Sequence, residues 1–183
     1  MIHIAHSGWL PIDDSLPYEI RGIPLCKDLP TRREEYHWIE SSIMEDAATV
    51  LDAAAGYIYE WHKMPYILSA ACRRVTALDQ NPRSLDMPKD PNILRMTGDI
   101  TSLPFADRSF DTTCCISTLE HLSPADAAKA LNELLRVTRR QLLLTADDLP
   151  GLPTAFGQPA GVDTPPAGCL SGPGVYAMDI RLY

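Results

Sequence analysis

Residues 47–148 alternate between two textures. Short, β-rich apolar runs at 49–53, 74–78, 93–96, 112–117 and 141–145 are separated by helical or polar stretches. Runs of that length read as strands, and strands that alternate with helices build βαβ units around a parallel sheet. Residues 59–72 are long enough for a helix, with Pro65 bending it or restarting it. Residues 124–137 carry a strong helix start, with Ser123 as N-cap and Pro124 at the first helical position. Leu131, Leu134, Leu135 and Thr138 then follow a helical stripe. The expected fold class is α/β: a Rossmann-like, doubly wound, mainly parallel sheet with helices on both faces.

The flanks differ from this core. Residues 1–46 space Pro11, Pro17, Pro24 and Pro30 along an irregular stretch, which ends at Thr31 as a helix N-cap. Residues 32–46 read as a helix with Tyr36, Ile39, Ile43 and Met44 on or near one face. Residues 150–175 hold six Pro and six Gly with one charged residue, Asp163, which suits an ordered lid or a flexible loop. Residues 175–183 alternate as a final strand. Three zones result: an N-terminal extension over 1–46 that is suited to covering a site on the core, a core over 47–148, and a Pro/Gly-rich lid or loop with a last strand over 149–183.

Charge and cysteine usage narrow the function. The net charge is −8 over 183 residues, which disfavours nucleic acid as a partner. No apolar run approaches the length of a membrane span, and the start Met1-Ile2-His3-Ile4-Ala5-His6 lacks the basic residues and long apolar core of a signal peptide. Cys26, Cys72, Cys114, Cys115 and Cys169 are odd in number and form no Cys-x-x-Cys pair. Cys114 and Cys115 are neighbours in a strand, so they point to opposite faces. A cytoplasmic setting without a metal is expected.

Four segments place polar groups where strands end. Val50-Leu51-Asp52-Ala53-Ala54-Ala55-Gly56 is a strand that closes on an acid and then small residues, which let a ligand approach the backbone. Val75-Thr76-Ala77-Leu78-Asp79-Gln80 ends in an acid suited to ribose hydroxyls, although Asp79 before Gln80-Asn81-Pro82 also suits a turn. Met96-Thr97-Gly98-Asp99-Ile100 offers a third acid, equally at home in a turn after Gly98. In Ser109-Phe110-Asp111-Thr112-Thr113-Cys114-Cys115-Ile116-Ser117-Thr118-Leu119-Glu120-His121-Leu122 a buried strand begins after Phe-Asp and ends before Glu-His, with polar groups just past it.

In order and spacing these segments resemble the class I S-adenosylmethionine-dependent methyltransferases, in particular the small-molecule group with a D-x-G-x-G turn. The most specific part is Leu103-Pro104-Phe105-Ala106-Asp107-Arg108-Ser109-Phe110-Asp111, followed by Glu120-His121-Leu122. The resemblance implies S-adenosylmethionine as cofactor and a methyl transfer to a small-molecule O- or N-nucleophile. It puts Asp52, Ala53, Ala54 and Gly56 at the methionine portion, Asp79 at the ribose, and Gln80, Asp99 and Ile100 around the adenine. Ser117 would lie near the sulfonium and amino group through its backbone, and Asp111 would start its strand as a structural residue.

His121 is the candidate base, since imidazole titrates near neutrality; the other reading is that it caps or packs the turn before Ser123. Glu120 is expected to position rather than to take a proton. Tyr36, His37 and Trp38 suit core packing of an amphipathic helix and are also candidates for the acceptor pocket, and the aromatics within 57–62 suit packing or a cage around a sulfonium.

Two departures weigh against a simple transfer of the family pattern. Ala54 stands where the turn's first glycine belongs, so either the turn is rebuilt or the cofactor is held less well. Only about 35 residues follow the fifth strand, so the C-terminal antiparallel part is reduced, with one or both of its strands missing or replaced. The alternative function is therefore a degenerate methyltransferase fold that serves as a non-catalytic binding or assembly partner. An exposed edge at that side would favour a homodimer.

Overall fold

Phe110–Ile116 is buried at every position, as a strand must be when it is covered on both faces. The computed structural model describes residues 2–10, 12–71, 73–146 and 175–183. In chain order the elements are β1 (Ile2–Leu10), the hairpin strands β2 (Glu19–Ile20) and β3 (Ile23–Pro24), α1 (Pro30–Ser42), β4 (Thr49–Ala53), α2 (Met64–Ala70) and β5 (Arg74–Asp79). They continue with β6 (Ile93–Thr97), β7 (Phe110–Ile116), α3 (Pro124–Val137), β8 (Thr138–Ala146) and β9 (Val175–Leu182).

Seven strands form one sheet in the order β1-β9-β8-β7-β4-β5-β6. The five from β4 to β8 pair parallel. β9 runs antiparallel to both β8 and β1, so β1 points the same way as the parallel five. The strand order reverses between β4 and β7, and the crevice beyond their carboxyl ends is where open α/β sheets take ligands.

Alternation along the strands sorts the core into two layers. Leu51, Ala53, Cys115, Leu142 and Leu144 face α3, which packs with Ala130, Leu131, Leu134 and Val137. Val50, Cys114, Ile116 and Leu143 face the other way, against Tyr36 and Ile39 of α1 and Ile67 and Leu68 of α2. Cys114 and Cys115 are thus on opposite faces, and both are free thiols. α3 begins as its sequence dictates, with Ser123 Oγ accepting from the Asp126 amide at 3.2 Å.

Several boundaries move. α1 is capped by Leu29 rather than Thr31, without a side-chain hydrogen bond, because Pro30 fits the first helical position and lacks the amide a cap would satisfy. It ends at Ser42, since Ile43 is already extended. α2 starts at Met64, with Pro65 in its first turn, so residues 59–63 of the expected helix belong to the preceding loop.

The larger difference is β1. Residues 1–46 are not an appendage to the core: β1 is the outer strand of the sheet, and α1 lies on one of its faces. Among the described residues the C-terminal part of the sheet is one antiparallel strand, β9, and β1 from the other end of the chain fills the place beside it. Residues 147–174, with the lid reading for 150–175 and Cys169, lie outside the described residues, as does Cys72. Among the described residues no helix is long and apolar enough to cross a membrane.

Candidate functional site

The carboxyl ends of β4, β5, β6 and β7 frame a cavity of about 850 Å³, within the usual size for small-molecule sites. Its far wall is the first turns of α1 and the loop over 57–62. Of the residues expected here, Asp52, Ala54, Gly56, Asp79, Gln80, Asp99, Ile100, Ser117 and His121 all line it. Ala53 does not: it is fully buried and points into the layer packed on α3, as the strand's alternation requires.

The turn after β4 is held from the next strand. The Ala55 amide donates to the Leu78 carbonyl at 2.9 Å. The Gly56 amide donates to Asp79 Oδ2 at 2.8 Å, and the Asn81 amide donates to Asp79 Oδ1 at 2.8 Å. Asp79 therefore ties the turn after β4 to the turn after β5, with its carboxylate on the cavity wall.

Gly56 has φ 75°, and a Cβ there would lie 2.2 Å from the His62 ring. Ala54 has φ 62°. The turn is thus not rebuilt around the alanine; the backbone keeps a left-handed conformation that favours glycine, at a cost of roughly 1 kcal/mol.

Asp52 is buried, and its carboxyl makes no hydrogen bond to a described residue. Burial pushes its pKa up to about 7; the charges of Arg95 and Arg32 oppose the rise and Asp79 adds to it. Arg95 shares its row of the sheet, because Asp52 pairs with Ala77 and Ala77 with Arg95. Asp99 is exposed, with Oδ1 accepting from the Thr101 amide and hydroxyl at 2.8 Å each. Ser117 has φ 42° and donates its amide to the Thr145 carbonyl at 2.9 Å. His121 is exposed at the cavity mouth, on the short 3-10 turn Leu119–His121.

The acceptor-side expectations separate. Tyr36 lines the cavity, and its hydroxyl donates to the Trp61 carbonyl at 3.2 Å and accepts from the Lys63 amide at 3.2 Å, bracing the 57–63 loop. His37 and Trp38 are elsewhere: His37 Nε2 bonds the Pro17 carbonyl at 2.9 Å, and Trp38 packs on the His6 ring. Tyr57, Trp61 and His62 reach the cavity, whereas Tyr59 sits under the Lys63 ammonium, 3.2 Å from its ring centroid. Burial lowers the His62 pKa, and the nearby Arg32 charge adds to that.

Asp111 lies at the opposite end of β7. It accepts from the Ala48 and Thr49 amides at 3.1 and 3.0 Å and pairs with Arg139, so it is structural, as expected. Sequence reasoning passed over Arg32 and Glu35. Arg32 lines the cavity, and Glu35 is fully buried beneath it. Both share the helix face of Tyr36 and Ile39, where a buried charged pair needs partners, and the partners of Glu35 lie on distant strands. Among the described residues no cluster of three or more His, Cys, Asp or Glu could hold a metal ion.

Comparison with known proteins agrees with this geometry. The model of the methyltransferase domain family matches residues 51–144, just over half of the chain. The chain belongs to that family, and its fold is the class I S-adenosylmethionine-dependent methyltransferase fold. A demethylmenaquinone methyltransferase of Beutenbergia cavernae is 49% identical over 49 residues, 27% of this chain and 20% of that protein. A Pyrococcus horikoshii protein has a similar structure, with TM-score 0.55, 20% identity, and coverage of 71% of this chain and 61% of that one. A TehB-like S-adenosylmethionine-dependent methyltransferase from Corynebacterium glutamicum is similar at TM-score 0.50 and 20% identity, over 61% and 60% of the two chains. The chain spans less than two thirds of the length of each of these relatives.

Proposed function

We propose that the protein transfers a methyl group from S-adenosylmethionine to an O- or N-nucleophile of a small molecule. The observation that carries this reading is the Asp79 carboxylate, fixed by the Gly56 and Asn81 amides at the sheet's switch point and facing the cavity. Two further features fit the cofactor: a glycine-shaped turn after β4, and a buried Asp52 carboxyl with no described hydrogen-bond partner beside it.

When bound, the cofactor supplies an activated methyl group on a sulfonium, so the protein's task is to bind, orient and exclude water. Asp79 accepts from the ribose hydroxyls. Gln80, Asp99 and Ile100 border the adenine, with the buried Ile100 supplying the apolar contact. Ala54 and Gly56 let the amino-acid end approach the backbone, and Asp52 faces its ammonium. The Ser117 backbone adds to that end. α1 and the 57–62 loop cover the acceptor side, where Tyr36, Tyr57 and Trp61 shut out water. His121 at the mouth takes the acceptor's proton when the nucleophile must lose one.

The non-catalytic alternative drew on the missing glycine. Ala54 keeps the left-handed shape, which supports the catalytic reading. The test is a screen of small-molecule phenols, alcohols and amines with methyl-labelled S-adenosylmethionine, with the Asp79→Ala chain as control. Label transferred by the native chain and not by the control supports the reading. No transfer to any acceptor from a cofactor that demonstrably binds would favour the non-catalytic alternative.

A further inference from the structure

Glu35 is fully buried, yet it bonds three groups on separate parts of the site. One carboxylate oxygen, Oε1, accepts from the Ser117 hydroxyl just past β7 and from Thr145 Oγ1 near the end of β8 at 2.6 Å. The other, Oε2, pairs with Arg32 Nη1 at 3.1 Å, one helical turn earlier on α1. A buried carboxylate removed from its partners is costly, so this arrangement fixes all three at once. It fixes Ser117 at a φ of 42°, which a serine rarely adopts without support.

Arg32 is the only Arg or Lys among the described residues of the cavity wall. Through Glu35 it is tied to Ser117 just past β7, and its charge acts on Asp52 at the tip of β4 and on His62 in the facing loop. Its guanidinium lies 5.9 Å from the Tyr36 ring centroid. A guanidinium held on one side by a carboxylate and on another by an aromatic face is preorganised, and its planar fork matches a second carboxylate.

We propose that Arg32 anchors the carboxylate at the amino-acid end of the cofactor, and that Glu35 is the positioning residue that holds Arg32 and Ser117 for it. The inference rests on the cofactor reading above and adds the subsite. Asp52 and Arg32 then divide the amino acid between them, acid to ammonium and guanidinium to carboxylate. The N-terminal segment becomes part of the cofactor site, and the site is complete only when α1 is docked on the ends of β7 and β8.

The experiment is calorimetric titration of the full chain with S-adenosylmethionine and with decarboxylated S-adenosylmethionine, which differ only in that carboxylate. The native chain should prefer the carboxylated ligand by about tenfold or more, ~1.4 kcal/mol. Arg32→Met should abolish the preference by weakening the carboxylated ligand alone. Arg32→Lys should restore part of it, as a point charge without the fork. Glu35→Gln should also lose affinity selectively for the carboxylated ligand; if it fails to fold by near-ultraviolet dichroism, Glu35→Asp serves the same comparison.

Equal affinities in the native chain, or an equal loss for both ligands in Arg32→Met, would overturn the anchor. Equal loss for both ligands in the Glu35 variants would reduce Glu35 to a structural residue. A native chain that binds neither ligand would defeat the cofactor reading itself, and this inference with it.

Discussion

The Gly56 amide and the Asp79 carboxylate are joined by a 2.8 Å hydrogen bond that spans the turns after two neighbouring parallel strands. One acid thereby does two things. It fixes the shape of the glycine turn and it presents carboxylate oxygens to the cavity. A substitution at Asp79 is expected to disturb both. Asp79→Ala should weaken S-adenosylmethionine by about tenfold or more, and lower folding stability by about 1–2 kcal/mol as two amides lose their acceptor. Titration calorimetry and urea unfolding read the two effects separately, and an unchanged cofactor affinity would remove the ribose role.

Ala54 pays a conformational cost at φ 62°. Ala54→Gly relieves it but gives the unfolded chain more freedom, so stability should change by between zero and about +1 kcal/mol. Cofactor binding should not weaken. A large loss of affinity would mean that the alanine methyl itself contacts the ligand.

Asp52 titrates high, at about 7 against an ordinary 3.8, because it is buried. A carboxyl raised in the folded state favours folding fully below its unfolded pKa. That contribution is lost as pH rises from about 4 through 7. A ligand ammonium beside it reverses the effect by drawing out the carboxylate. Binding near pH 6 should therefore release a proton, visible as a dependence of the binding heat on buffer ionisation enthalpy, and affinity should rise toward pH 7. Asp52→Asn should abolish the proton release. A binding heat independent of buffer in the native chain would contradict the assignment.

Asp111 behaves in the opposite sense. Burial works to raise its pKa, but hydrogen bonds from Arg139 and Thr49 outweigh that and hold it at about 2. Its contribution to stability is present above pH 4 and is lost as pH falls toward 2. About 2 kcal/mol of acid sensitivity should trace to this residue. Asp111→Asn should flatten the stability profile between those limits, followed by urea unfolding at a series of pH values; an unaltered slope would assign the acid sensitivity elsewhere.

His121 is exposed at the cavity mouth. If it takes the acceptor's proton, His121→Asn should lower kcat by about a hundredfold while cofactor affinity stays unchanged. The measurement is steady-state turnover with an acceptor that accepts label. A kcat within twofold of native would leave His121 as a residue of the turn before α3.

The parallel core was legible because its signals are local. β4 has its expected bounds, 49–53, since period and apolar content fall off sharply at both ends. α3 has its expected start and end because Ser123 and Pro124 specify the first turn. Asp52 and Asp79 were legible for the same reason, as each follows directly on an apolar run, and Asp99 because it follows Gly98 just past one.

β1 was not legible. His3, Ala5, Ser7 and Gly8 are weak strand formers, and an edge strand with one exposed side gains most of its stability from the partner β9, which is distant in sequence. The helix expected within 59–72 lost its first turn for a local reason, since Pro65 lies in the first turn of α2 and has no amide to extend it backward. Glu35 was hidden in another way. Its meaning comes from Ser117 and Thr145, 82 and 110 residues away, and no spacing in the sequence announces such a contact.

The central claim is that the crevice between β4 and β7 binds S-adenosylmethionine. Calorimetric titration of the purified chain with S-adenosylmethionine and with S-adenosylhomocysteine tests it most directly. Binding of both with dissociation constants on the order of micromolar is the predicted result. No heat of binding to a well-folded sample at ligand concentrations on the order of millimolar would contradict it.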